Sequence, residues 1–202
     1  MNNPFDFFDS IYCISAESRT FKRKKVSRQL DKLGILDRVT FFNAILREPY
    51  WEGCRESHKE CIRKAKKDGA NNVLIFEEDV FFLHHDLNAV RGAIEKLQSY
   101  PWDIFTLGCT VEEVLENIHE NLCVVSGYLN HAYAVNRPFF DTILNFEGSE
   151  KYYDDGKQIW SLGRLDLFLT QNNFKKYMIK PIMAVQPDKS AKTLKSYYNK
   201  II

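Results

Sequence analysis

Val73-Leu74-Ile75-Phe76 runs straight into Glu77-Glu78-Asp79, and apolar chain resumes at Val80. So short a continuous apolar run predicts a buried strand. Three acids in succession predict that the chain leaves the core there. Side chains alternate across a strand, so Glu77 and Asp79 are expected on one face, with Glu78 pointing away. Three like charges side by side repel one another, and a divalent cation between them would relieve the repulsion. A plainer reading fits the same residues: acids that end a strand, or that cap the next helix through a carboxylate.

The chain around this segment alternates strand-like and helix-like patterns. Ile11-Tyr12-Cys13-Ile14 reads as a strand, and Ser18 or Thr20 as the cap of a helix reaching about residue 33, with Val26, Leu30 and Leu33 at helical spacing and Gly34 as its stop. Val39-Thr40-Phe41-Phe42 reads as the next strand. A helix over about 55–67 follows, with His58, Cys61, Ile62 and Ala65 on one face and Asp68-Gly69 at its end. Asp86 is placed to cap a third helix that turns Val90, Ile94 and Leu97 inward. Residues 103–107 read as a strand closed by Gly108, and 111–118 as a helix or a loop. Residues 122–125 and 132–135 read as two strands, Pro138 as the first turn of a helix to about 144, and 147–157 as a polar loop. Residues 160–169 read as a helix, and strands near Tyr177 and Met183 precede a Lys-rich tail. This alternation predicts an α/β fold with a mixed, mostly parallel sheet flanked by helices on both faces. Such sheets bind ligands at the carboxyl ends of their strands, where Glu77-Glu78-Asp79 and the loop after Ile14 fall.

Composition narrows the function classes. The 202 residues suit one domain, long enough to bury roughly 70% of the surface of the unfolded chain. Net charge is +1 with 27% charged residues, which gives no case for nucleic acid as a partner. The five cysteines are odd in number and lack paired C-x-x-C spacing. This argues against a disulfide framework and a structural zinc site, and predicts small buried residues in a reducing compartment. No segment is long and apolar enough to span a membrane, and the N-terminal residues lack the layout of a signal peptide. The expectation is a soluble intracellular protein, at most peripheral to a membrane, which could be one piece of a larger one.

Several pieces of the chain, in order, resemble glycosyltransferase family 25, the group of lipooligosaccharide and procollagen galactosyltransferases. They are Ile11-Tyr12-Cys13-Ile14-Ser15 with Lys22-Arg23, then Asn43-Ala44, then Gly53-Cys54-Arg55-Glu56-Ser57-His58, which fits a G-C-x-x-S-H signature. Leu74-Ile75-Phe76-Glu77-Glu78-Asp79 resembles the family's strand ending in Glu-Asp-Asp, and Trp102-Asp103 with Leu107-Gly108 fits the next strand. Ala132-Tyr133, Asp166, Gln186 and Ser190 resemble later single positions. The resemblance implies a GT-A-type nucleotide-sugar-binding fold in a single domain, with a nucleotide-sugar half over about 10–110 and an acceptor-side half over about 120–190. It also implies a uridine diphosphate (UDP) sugar as donor, Mn²⁺ or Mg²⁺ as cofactor, inversion at the anomeric carbon, and transfer of galactose or glucose to a hydroxyl of a glycan or hydroxylated side chain.

On that reading Asp79 is the main metal ligand. Glu77 is its same-face neighbour, binding the metal through water or touching the ribose. Glu78 replaces the family's middle Asp, and its extra methylene bears on the donor contact. Ser15, Arg19 and Arg23 belong to the donor site, because the loop leads into a helix N-terminus that favours anions. A solvated helix face is the rival reading for Lys22-Arg23-Lys24-Lys25. Asp166 is the candidate base for the acceptor hydroxyl, with an ordinary acid in a helix's first turn as the rival. Asp154-Asp155-Gly156 reads as a turn. His58 and Ser57 are expected to be structural, Cys54 to be packing, and at most one of His84 and His85 to be a ligand. Two other classes remain open: a non-catalytic nucleotide-sugar or glycan binding domain, motivated by Glu78, and a nucleotidyltransferase, against which no Gly-rich phosphate loop is present.

Overall fold

In the computed structural model of the chain, residues 2–147, 152–154, 159–161, 164–171 and 174–187 are described. A short 3₁₀ turn leads into β1 (Ser10–Ser15), α1 (Thr20–Lys32) and β2 (Val39–Asn43). Then come α2 (Tyr50–Lys67), β3 (Asn72–Glu77), β4 (Phe81–Phe82) and α3 (Leu87–Leu97). The second half holds β5 (Ile104–His119), β6 (Leu122–Asn136), α4 (Phe140–Leu144), β7 (Tyr152–Asp154), β8 (Ile159–Ser161), α5 (Leu165–Gln171), β9 (Lys176–Ile179) and β10 (Ala184–Val185).

The local chemistry of the early elements matches their sequence signals. Gly34 and Gly69 follow α1 and α2 at φ 68° and 81°, left-handed positions that end a helix and that glycine occupies without a Cβ penalty. Asp86 caps α3 by accepting hydrogen bonds from the N–H groups of Asn88 and Ala89. At α1 the cap differs. Arg19 holds the N-cap position without a side-chain bond, so neither Ser18 nor Thr20 serves there. Helix α2 begins at Tyr50, five residues before its expected start.

The central sheet has six strands in the order β2-β1-β3-β6-β5-β9. β1 pairs in parallel with β2 and β3, which makes the first half the expected α/β arrangement. The second half corrects the mostly parallel sheet. β3 pairs antiparallel with β6, β5 and β6 form a long antiparallel hairpin, and β9 pairs parallel with the start of β5 and antiparallel with the start of β6. The two small sheets, β4 with β10 and β7 with β8, are antiparallel too. Taken together the sheet is mixed and mostly antiparallel. The hairpin explains the misreading. Its ladder shifts register at five places, and each extra residue breaks the period of two. Val111, Val114 and Ile118 are left at three- and four-residue spacing, which imitates a helix in a stretch that is strand. Similarly, 122–125 and 132–135 belong to one strand, β6, and the chain from Ile159 is strand before α5 starts at Leu165.

Strand alternation sorts the core into two layers. Leu74 and Phe76 face α1 and α3, packing with Val26, Leu30, Val90 and Ile94. Val73 and Ile75 face α2, α4 and α5, packing with Cys61, Ile62, Phe140 and Leu169. A fully buried Ile such as Ile62 contributes about 1.5–3 kcal/mol of apolar transfer. None of the described helices is long and apolar enough to cross a membrane.

Candidate functional site

The same parity decides where the acids go. Glu77 is the last residue of β3 and follows Val73 and Ile75 to the α2 side, where its carboxylate lies 3.3 Å from His58 Nε2. Glu78 follows Leu74 and Phe76 to the α1 side. It is 8% exposed and accepts hydrogen bonds from Ser15 Oγ (2.8 Å), Ala16 N–H (3.2 Å) and Arg19 Nη1 (2.9 Å). Asp79 lies past the strand, in a turn closed by Val80 N–H donating to Glu77 O, so the parity no longer governs it. It accepts from Gln186 Nε2 at 3.2 Å, and Lys22 Nζ lies 3.7 Å from the same oxygen. Each acid therefore has a protein cation beside it: His58, Arg19 and Lys22 respectively.

One atom of the cluster stands out. Asp79 Oδ1 is buried and has no hydrogen-bond partner among the described residues. A buried, unpaired carboxylate oxygen is costly. A hard cation, which prefers oxygen ligands, fits it.

Beside these acids opens a cleft of about 210 Å³ at the carboxyl edge of the sheet. Tyr50, Trp51, Cys54 and His58 line it from α2, Glu77 from β3 and Tyr133 from β6. Arg164, Asp166 and Gln186 line it from the second half of the chain. Asp166 opens α5, and Arg164 grips both its carboxylate oxygens through Nη2 (2.7 Å) and Nε (3.1 Å). Of the expected site residues, Glu77 and Asp166 meet in this cleft, and Asp79 touches it through Gln186. Ser15 and Arg19 are bound to Glu78 instead, and Arg23 stacks its guanidinium over Phe41 at 4.3 Å. Neither His84 nor His85 joins the cleft. Asp155, Gly156 and Ser190 lie outside the described residues.

The G-C-x-x-S-H segment builds one wall. Gly53 sits against the preceding loop, where an added Cβ would lie 2.3 Å from Ile45 O and 2.9 Å from Arg47 N. Ser57 Oγ donates to Gly53 O (2.7 Å) and accepts from Ile45 N–H (2.8 Å), tying that loop to the helix, as expected of a structural serine. Gly53→Ala must therefore push backbone against backbone. It should cost about 1–3 kcal/mol in chemical denaturation, and an unchanged midpoint would contradict this packing.

His58 is 3% exposed and joins Tyr133 Oη (3.0 Å) to Glu77. Burial pulls its pKa down, but hydrogen bonds with Cys54 and Glu77 and their charges outweigh that and push it up to about 10. Burial first, with nearby Cys54, raises the Tyr133 hydroxyl well above its usual range, so it stays protonated. Cys54 corrects its expectation: it is exposed on the cleft side, whereas the other four cysteines are buried. Cys54 Sγ, a ring nitrogen of His58 and a carboxylate oxygen of Glu77 lie within 4.8 Å of one another, close enough to hold a metal ion. Cys54, Tyr133 and Arg164 are site residues to which the sequence assigned no chemical role. The usable signal was the four-residue Cys54–His58 spacing, which puts both on one helix face.

No family model matches the sequence, and no curated protein matches it. Among solved structures, the fold is similar to A197 from STIV at a TM-score of 0.53 and 11% identity, over 89% of this chain and 86% of that one. Looser likeness extends to a glycosyltransferase involved in the glycosylation of the major capsid of PBCV-1 (TM-score 0.42, 10% identity, 68% of this chain and 63% of that one). It extends also to mannose-1-phosphate geranyltransferase from Thermus thermophilus (0.35, 14%, 75% and 54%). The likeness to the last two is too loose to carry an argument, and what the chain shares with the first is a fold.

Proposed function

We propose that the chain is a metal-dependent, inverting glycosyltransferase of the GT-A kind. It moves a hexose, galactose or glucose, from a UDP-sugar to a hydroxyl of a glycan or hydroxylated side chain. The observation that carries this reading is Asp79 Oδ1, a buried carboxylate oxygen without a donor among the described residues at the carboxyl end of β3, next to a cleft large enough for a sugar. Asp79 would hold Mn²⁺ or Mg²⁺, which when bound neutralises charge on a departing diphosphate. Lys22, 3.7 Å from Asp79 and 3.8 Å from Glu78, would contact the same phosphates. Glu78 positions the donor loop by holding Ser15, Ala16 and Arg19. Asp166 takes the acceptor proton. Arg164 orients it, and each of its oxygens keeps a further lone pair for that proton.

Screening nucleotide sugars for diphosphate release tests the reading. One UDP-hexose should be turned over with Mn²⁺ or Mg²⁺ and not after chelation. Turnover indifferent to chelation, or no nucleotide sugar bound at all, would sink it.

A second reading is a non-catalytic nucleotide-sugar or glycan binding domain. The two-point grip of Arg164 on Asp166 favours it, because both carboxylate oxygens are already engaged by the guanidinium. Cation-dependent donor binding by calorimetry, with neither hydrolysis nor transfer, would select it.

A further inference from the structure

We propose that Cys54, His58 and Glu77 form a three-ligand site for a thiophilic divalent cation of the Zn²⁺ class, with a fourth position open to the cleft. The site is separate from the hard-cation role of Asp79 and does not depend on sugar transfer. Its three donor atoms lie within 4.8 Å of one another, and Asp79 is not among them. Tetrahedral zinc, with bonds of about 2.0–2.3 Å, needs ligand atoms about 3.3–3.8 Å apart, so small side-chain rotations close the set.

The scaffold is built for this. Cys54 and His58 stand four residues apart on α2, the spacing at which a helix presents two ligands to one ion. Ser57 pins that turn of α2 to the loop before it. Glu77 supplies the third ligand from the end of a buried strand. The outer partner is present too. His58 Nδ1 lies 3.0 Å from Tyr133 Oη and donates its N–H there, so that a metal ion entering beside Glu77 displaces the proton on Nε2 and takes its lone pair. Metal-binding histidines are held by such a bond on their other nitrogen. Tyr133 is fully buried, which fixes the ring.

The donor set selects the ion. A thiolate and an imidazole favour zinc over Mn²⁺ or Mg²⁺, which prefer oxygen. Three protein ligands with an exposed thiol on the cleft wall leave a position for an oxygen of a molecule bound there. The absence of C-x-x-C pairs argues against a structural zinc site, but not against one open to the cleft and built from a helix and a strand.

Cobalt titration of the reduced full chain reads the site directly. Co²⁺ should produce thiolate-to-cobalt charge-transfer absorption that saturates at one equivalent and is displaced by Zn²⁺. Cys54→Ser and Cys54→Ala should lose the band while keeping the thermal melt of the parent. Tyr133→Phe should weaken Zn²⁺ binding about 10–100-fold. Asp79→Asn should keep the band. A parent chain without the band, a band that survives both Cys54 substitutions, or a band that vanishes in Asp79→Asn would overturn the proposal.

Discussion

Glu78→Ala should destabilise the fold by about 2–4 kcal/mol and release the loop between β1 and α1. The carboxylate it removes is buried and accepts from Ser15 Oγ and Ala16 N–H, both among buried groups. Each donor left without a partner costs about 1–3 kcal/mol. The Arg19 bond adds little, because that side chain is 58% exposed and returns to water. For a chain of this size the loss lowers the melting temperature by roughly 5–15 °C. Glu78→Gln keeps an acceptor oxygen and should lose about half as much. Glu78→Asp tests reach: a side chain one methylene shorter cannot span to Ser15 and Arg19 together, so it should fall between the two. Melting curves of the three variants would show this order, and a Glu78→Ala curve lying on that of the parent would refute it. Glu78 thus has a structural use here, which is to lash the loop to the strand end.

On the proposed transferase reading, Asp79→Asn is expected to lower cation-dependent transfer by about 10³-fold, the equivalent of roughly 4 kcal/mol of transition-state charge stabilisation. The amide keeps the size of the side chain, while removing the charge that would hold a hard cation. Stability should change by less than about 1 kcal/mol, since Lys22 is partly exposed and its ion pair is worth little. Steady-state transfer with Mn²⁺, beside Mn²⁺ binding followed by electron paramagnetic resonance, separates loss of metal from loss of fold. Parent-like activity would remove Asp79 from the mechanism.

How much of this could be read in advance varies by element. The two-residue period of Val73–Phe76 foretold both core layers and the opposed directions of Glu77 and Glu78. It failed at Asp79 because the strand ends at Glu77, and a turn obeys its own geometry. The helix expected from about residue 55 starts at Tyr50, so Gly53 lies inside it, where only a residue without Cβ can pass Ile45 O. For the acidic run, a cation from outside was one of the two readings. His58, Arg19 and Lys22, distant in sequence, supply most of that charge from within.

By itself, then, the sequence determined the local elements with a clean period, the helix stops at Gly34 and Gly69, the cap at Asp86 and the place where the acids emerge. These depend on neighbours within a few residues, whose steric and hydrogen-bonding preferences act alone. Only the tertiary structure decided the direction of β6 beside β3, the bulged β5–β6 hairpin, the arrival of Asp166 in the cleft with Glu77, and the meeting of Cys54, His58, Glu77 and Tyr133. His58 and Tyr133 are 75 positions apart. Contacts at that separation follow from which apolar faces can be buried together, a property of the whole packed core.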